Sequence, residues 1–188
     1  TVEGDFNTNS DSLAEAYSLA AIYANGPFYA SAAYEVLSED MTIASLVPDQ
    51  NITDDFTKWR FGLGILDWNG FSLTGIYEDR ANTGFVNDQD SSSWQVQAGY
   101  AFGNSEIKAA YGSLDRDNDF NDTFGDVGSF RDVGDAIDDA INGDLNQWTI
   151  GFDHNFSKRT KAYALYTNID DDSAPDWDSF SIGMIHSF

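Results

Sequence analysis

The chain has 188 residues, enough for one domain, and its 15% aromatic content supplies enough apolar surface to exclude disorder as the default. A net charge of −23 with only 9 basic residues excludes nucleic-acid binding, because phosphate would repel the chain, and makes small cations natural partners. The absence of cysteine excludes disulfides, thiolate metal sites and cysteine nucleophiles.

Nine segments of about ten residues alternate apolar with polar or small side chains, the period of two that is typical of membrane β-strands. No apolar run approaches the roughly 18 residues of a transmembrane helix, so a helical membrane protein is excluded. The pattern predicts strands at Ala14–Ala24, Pro27–Leu37, Thr57–Leu66, Phe71–Ala81, Ser92–Phe102, Ser105–Leu114, Gln147–Phe156, Thr160–Ile169 and Asp178–Phe188.

Each predicted strand has one apolar face and one face of small or polar residues. The fifth strand is the clearest, since Trp94, Val96 and Tyr100 alternate with Gln95 and Gln97. This pattern suits lipid outside and water inside, and aromatic residues near the strand ends suit the membrane interfaces. The face predicted to line the interior is small and polar, which favours an open channel over a plugged barrel; it includes Ser18, Ala20, Ser31, Ala33, Ser72, Thr74, Gln95 and Gln97.

The connections between the strands alternate between tight and long. The tight ones are Asn25–Gly26, Asp67–Gly70, Gly103–Asn104 and Ser157–Arg159, and the long ones are Ser38–Phe56, Asn82–Ser91, Asp115–Asn146 and Asp170–Trp177. Short periplasmic turns and long external loops are typical of an outer-membrane barrel. Most of the 32 acidic residues fall in the long connections and the first 13 residues, so the external end is predicted to be acidic. A short surface helix is predicted over 133–141, before Gly143.

The fold class predicted is therefore an all-β transmembrane antiparallel β-barrel. Complete bacterial barrels have an even number of strands with both ends in the periplasm, so nine strands predict that an N-terminal portion is missing and that residues 1–188 are the C-terminal part of one barrel domain. The alternative is a tenth strand within Thr1–Asn9, which Gly4, Asp5 and Asn7 make a poor one.

Three segments resemble known outer-membrane barrels. The last strand places Phe180, Ile182, Met184, His186 and Phe188 at every second position and resembles the C-terminal signal that the barrel assembly machinery recognises, although the pattern usually has tyrosine or another apolar residue where His186 stands. The segment from Gly151 to Tyr166, with its Ser-Lys-Arg-Thr turn, resembles the penultimate hairpin of trimeric Gram-negative porins, and Asn25–Glu35 resembles a middle hairpin of that family.

The resemblance equates the chain with strands eight to sixteen of a sixteen-stranded porin. It implies a homotrimer in the outer membrane that passes ions and small hydrophilic solutes passively, in contact with membrane lipid and lipopolysaccharide. Constriction residues from the N-terminal half of such porins have no counterpart here. Alternation itself predicts eight charged residues facing the lumen, where they would set ion preference: Glu35, Lys58, Arg60, Glu78, Arg80, Glu106, Lys108 and Asp153. The strand of Lys161 alternates ambiguously, so that residue is left unassigned.

An acidic segment after the sixth strand has oxygen ligands at spacing similar to a calcium loop: Asp115, Asp117, Asp119 and Asp126. It lacks the glycine and the bidentate glutamate of such a loop, so a solvated acidic loop that binds Ca²⁺ or Mg²⁺ only loosely is favoured, and no cofactor is predicted. His154 and His186 lie on faces assigned to lipid or interface and have no serine and acid in a triad context, so no enzyme is predicted.

The function predicted is a water-filled channel with a preference for cations, set by the acidic external mouth. One alternative is a non-conducting outer-membrane barrel with a structural or adhesive role. Another is a soluble, salt-adapted β-protein, for which acidity alone would be an adequate explanation.

Overall fold

The computed structural model describes residues 16–38, 54–83, 89–118 and 142–188. These residues form one antiparallel sheet of nine strands, in which every strand pairs with its neighbours in the chain. The strands are β1 (Ala16–Asn25), β2 (Phe28–Leu37), β3 (Phe56–Trp68), β4 (Phe71–Ala81), β5 (Gln89–Phe102), β6 (Ser105–Asn118), β7 (Gly143–Ser157), β8 (Thr160–Asp171) and β9 (Trp177–His186). The nine predicted strands are confirmed, with the ends of several shifted.

The largest shifts are at β6 and β7, each of which extends four residues into the connection predicted at Asp115–Asn146. The backbone ladder continues there, with Asp115 opposite Asp144 and Arg116 opposite Gly143. Apolar alternation stops at Leu114 because the strands leave the apolar zone, whereas backbone pairing needs no apolar side chain. The predicted helix over 133–141 and the alternative strand Thr1–Asn9 lie outside the described residues.

The four tight connections are confirmed as two-residue turns at Gly26–Pro27, Asn69–Gly70, Gly103–Asn104 and Lys158–Arg159. Asn69 and Gly70 both have positive φ, of 53° and 82°, which is the conformation of a type I′ hairpin turn. This turn twists in the same sense as the strands that it joins. All four turns lie at the same end of the sheet, and the strand ends that lead into the long connections lie at the other.

The sheet has little buried core of its own. Within the described residues, Val36 is the one buried hydrophobic residue, while large apolar side chains such as Leu19, Leu63 and Ile182 are about 70% exposed (73%, 69% and 76%). No helix in these ranges is long and apolar enough to cross a membrane. An apolar surface of this extent needs an apolar surrounding, which favours lipid over water.

Gly70 offers a test of the turn geometry. A Cβ atom on Gly70 would lie 2.6 Å from the carbonyl oxygen of Ala101, whereas a Cβ on Gly103, whose φ is also positive at 55°, would meet nothing within 4 Å. Left-handed backbone costs alanine about 1–2 kcal/mol at either turn. We expect Gly70→Ala to lower the unfolding temperature in detergent clearly more than Gly103→Ala does, because only the former adds a clash with backbone. Equal losses of unfolding temperature in the two variants would contradict the close approach of β5 to this turn.

Candidate functional site

The outward face of the sheet carries an aromatic belt near the long connections. Eight consecutive strands each contribute one residue to this outer belt: Tyr17, Tyr34, Trp59, Tyr77, Trp94, Tyr111, Trp148 and Tyr166. Four neighbouring pairs of these rings are in contact, among them Tyr34 and Trp59, with centroids 4.1 Å apart, and Trp148 and Tyr166, with centroids 5.2 Å apart. The Tyr111 hydroxyl donates to Asn146 Oδ1 at 3.0 Å, toward the polar end of the sheet. A ring system with an apolar body and a polar tip suits a membrane interface.

A second group of outward aromatics lies at the tight-turn end and includes Tyr23, Phe28, Phe71, Tyr100 and Phe102. Between the two groups the outward side chains are apolar or small, such as Val96 and Ala98 on β5. His154 and His186 also point outward near the tight turns, where they contact Ser105 Oγ and Thr160 Oγ1, each at 2.9 Å. The outward face therefore has the apolar band and flanking girdles of a barrel wall.

The opposite face encloses a trough of about 1000 Å³, lined by side chains from β3 to β8. Its uncharged lining includes Ser72, Thr74, Gln95, Gln97 and Thr149. We call this the inner face. All eight charged residues predicted to face the interior lie on it; six of them line the trough itself, and Glu35 and Lys58 lie on the inner face of β2 and β3. That this face lines an aqueous pore remains a prediction.

Charges on the inner face are paired across strands in two clusters. In the first, Glu78 lies between Arg60 and Arg80 and forms ion pairs with both. The side chain of Glu78 is only 6% exposed, whereas those of Arg60 and Arg80 are 48% and 41% exposed. Beside this group, Lys58 Nζ lies 2.6 Å from Glu35 Oε2.

The second cluster joins β6, β7 and β8. Asp153 Oδ2 accepts hydrogen bonds from Lys108 Nζ at 2.7 Å and from Lys161 Nζ at 3.1 Å, and Lys108 also lies 3.2 Å from Glu106. Glu78 and Asp153 thus have the same role in their clusters, since each is a buried carboxylate that two bases neutralise. Such pairing reduces the cost of burying their charge.

Two parts of this arrangement were missed by the sequence analysis. Lys161 belongs to the inner face, because β8 places it beside Asp153. Arg116 lies beyond the predicted end of its strand, and its Nη2 contacts Asp171 Oδ1 at 2.5 Å and Ser173 Oγ at 2.7 Å. This contact ties β6 to the end of β8 and to the connection that follows. The register of the strands decides which carboxylate each of these two bases meets, so neither contact has a local signal in the sequence.

The inner face therefore collects the basic residues of the strands and is nearly neutral. Six of the nine bases of the chain lie on it, namely Lys58, Arg60, Arg80, Lys108, Arg116 and Lys161. Its acids within the described strands are Glu35, Glu78, Glu106, Asp153 and Asp171. By contrast, the long-connection end of the sheet is rich in described carboxylates, among them Asp172 and Asp176.

The remaining predicted residues are placed as follows. Phe180, Ile182, Met184 and His186 share the outward face of β9, and Phe188 lies beyond the strand and is fully exposed. Asp115 and Asp117 lie at the end of β6 that leads into the long connection, whereas Asp119 and Asp126 lie outside the described residues. The described part of the chain holds no group of three or more His, Asp or Glu side chains able to hold a metal ion. Recognition by the assembly machinery and loose binding of divalent cations stay predictions.

The two faces make opposite predictions for thiol labelling, and the natural chain has no cysteine to interfere. We expect Gln97→Cys and Thr149→Cys on the inner face to react with a charged, membrane-impermeant thiol reagent in lipid vesicles. Their outward neighbours, Ala98→Cys and Ile150→Cys, should react at least about tenfold more slowly, because a buried thiol in lipid cannot ionise or meet the reagent. Equal labelling of both pairs would contradict the assignment of faces.

Comparison with known proteins supports this architecture. A family model described as Gram-negative porin matches residues 1–174. A porin structure refined at 1.8 Å resolution superposes with a TM-score of 0.58 at 14% identity, covering 92% of this chain and 51% of that one. An anion-selective porin from Comamonas acidovorans superposes with a TM-score of 0.55 at 18% identity, covering 90% of this chain and 48% of that one. The chain thus spans about half the length of these structures. A search of curated proteins found no match.

Proposed function

The chain belongs to the Gram-negative porin family, and on that premise we propose that its sheet forms part of the wall of a water-filled channel for ions and small hydrophilic solutes. Family membership places it in the outer membrane of a Gram-negative bacterium. We further propose that the nine strands belong to a larger closed barrel, of the size of the solved porins that the chain half covers.

The observation that carries this proposal is the separation of side chains between the two faces. Bases of the described strands lie on the inner face with carboxylate partners, beside small hydroxyl and amide side chains such as Ser72, Thr74 and Gln97. The outward face bears the apolar band and its aromatic belts. Charges in a lipid-spanning structure are costly unless they face water, so the inner face is best explained as the wall of an aqueous lumen.

We propose a preference for cations that arises at the external end rather than along the wall. The inner face holds nearly equal numbers of bases and acids, so it gives little net field. Asp170, Asp172 and Asp176 stand instead at the long-connection end, where most other acids of the sequence also fall. The anion-selective porin shares this fold at 18% identity, so the fold alone leaves the sign of selectivity open. The proposed cation preference rests on the negative charge of the external end.

Other parts of the proposal rest on family resemblance. We propose a homotrimer, contacts with membrane lipid and lipopolysaccharide through the outward face, and recognition of β9 by the barrel assembly machinery through Phe180, Ile182 and Phe188. Divalent cations would bridge the acidic connections to lipopolysaccharide without a defined site. We propose no catalytic role.

The first test is single-channel recording of the intact protein in a planar bilayer under a salt gradient. We expect the conductance to rise in steps of three channels. The reversal potential should be displaced toward the equilibrium potential of the cation. The displacement should shrink as salt rises from about 0.1 M to 1 M, because the Debye length falls from about 10 Å to about 3 Å. Folded, inserted protein without conductance would overturn the channel and favour a structural or adhesive barrel.

A charge variant locates the source of selectivity. Neutralising the external acids together, by Asp170→Asn, Asp172→Asn and Asp176→Asn, should move the reversal potential toward zero. Asp67→Asn removes an acid at the tight-turn end and is the matched control, since it should leave the reversal potential nearly unchanged. An unchanged potential in the triple variant would show that the mouth does not set the preference.

A further inference from the structure

Arg60 and Arg80 stand on adjacent strands with Glu78 between them. Arg60 directs Nε and Nη2 to Glu78 Oε2, and Arg80 directs the same two atoms to Oε1. A guanidinium has five N–H donors in a fixed plane, so the contacts within the described part of the chain leave the Nη1 donors of both side chains for another ligand. The two side chains are 48% and 41% exposed and line the trough, so they are open to a solute there.

The arginines are held in place rather than mobile on the surface. Glu78 is almost fully buried and shares one carboxylate between both guanidiniums, which fixes their separation and orientation. The group of three carries one net positive charge. The neighbouring pair of Lys58 and Glu35 is neutral and leaves that charge unbalanced.

Among the described inner positions beside this group, the one carboxylate is Glu35, and it is paired with Lys58. Across β5, Ser93 lies opposite Glu78 and Ser91 opposite Arg80, and across β2, Ala33 lies opposite Arg60. These side chains are small, so they leave room over the guanidiniums, and the serine hydroxyls add hydrogen-bond partners. The site therefore combines free donors, space and net positive charge.

The second cluster differs in charge and lies well away. Glu106, Lys108, Asp153 and Lys161 carry two charges of each sign. Strand pairing aligns Glu78 with Ser93 and Ser93 with Leu114, six residues along β6 from Lys108, which is about 20 Å at about 3.3 Å per residue. That separation exceeds the Debye length of about 8 Å at physiological salt, so the two clusters act on solutes independently.

We propose that Arg60 and Arg80 form a binding station for the carboxylate groups of solutes that pass through the channel. The inference rests on the proposed channel function and specifies a solute class for it: small organic anions and zwitterions that bear a carboxylate. Glu78 already shows the planar match between a carboxylate and these guanidiniums, and a solute would meet the same chemistry on their free edges. An acidic mouth and an internal anion station together favour solutes that also carry a positive group.

The test compares succinate with its neutral counterpart succinamide in single-channel recordings of the intact protein. We expect succinate to cause brief interruptions of the current, with a frequency that rises with concentration, and succinamide to cause none. Arg60→Gln and Arg80→Gln should each weaken succinate binding by about tenfold or more, because each removes charge-assisted hydrogen bonds. Arg80→Lys should weaken it in part, since a point charge remains but the planar fork is lost.

Lys161→Gln is the matched control, because it removes one positive charge from the same trough but from the neutral cluster. Its succinate affinity should stay within about twofold of the natural protein. Equal losses in Lys161→Gln and Arg80→Gln would overturn the station and leave a diffuse field as the explanation. Interruptions that persist unchanged in Arg60→Gln and Arg80→Gln would overturn it as well.

A second variant guards against loss of folding. Glu78→Gln keeps a side chain of the same shape and an amide oxygen between the two guanidiniums, and it raises the net charge of the group by one. Succinate should therefore bind several-fold more tightly, which a merely damaged barrel would not do. Unchanged or weaker binding in this variant would count against the station. Calorimetric titration of the detergent-solubilised protein with succinate needs no conductance. Succinate binding without conductance would overturn the channel but keep the station. Conductance without succinate binding would overturn the station but keep the channel.

Discussion

The structure depends on one constraint: a backbone that crosses hydrocarbon must satisfy its N–H and C=O groups within the protein. An antiparallel sheet in which each strand pairs with its sequence neighbours meets this constraint throughout β2 to β8. Once pairing is fixed, successive side chains must point to opposite faces. The outer belt, in which eight strands place one aromatic residue each near the same end, follows from that alternation and would not survive a one-residue slip of any strand.

The same constraint explains where the charges lie. With lipid on one side, the strands can place bases only on the inner face or beyond the apolar band, and Lys108 and Arg60 take the first option while Lys158 and Arg159 take the second. Buried carboxylates then act as cross-links between strands. Glu78 bridges β3 and β4, and Asp153 draws together side chains of β6, β7 and β8. Electrostatic pairing therefore reinforces the register that backbone hydrogen bonds establish.

Period-two alternation was enough to predict the number of strands, the tight turns and the faces, because these depend on local residue order. It could not assign β8, where Tyr163 and Leu165 line the trough while Ala162 and Ala164 face outward, so size and polarity do not separate the faces. Pairing with β7 resolves this, since Tyr163 lies opposite Asp153. The Arg116 contact was out of reach for the same reason, because its partner Asp171 comes 55 residues later in the chain.

The spacing of the aromatic groups has a consequence for the choice of membrane. On β5, eight residues separate Trp94 from Phe102, which is about 26 Å along the strand and about 20 Å along the membrane normal at the usual strand tilt. This apolar height is shorter than the roughly 30 Å of an average bilayer and suits the thinner outer membrane of bacteria. In thick, sterol-rich bilayers the lipid would have to compress around the protein, and hydrophobic mismatch would oppose its insertion there.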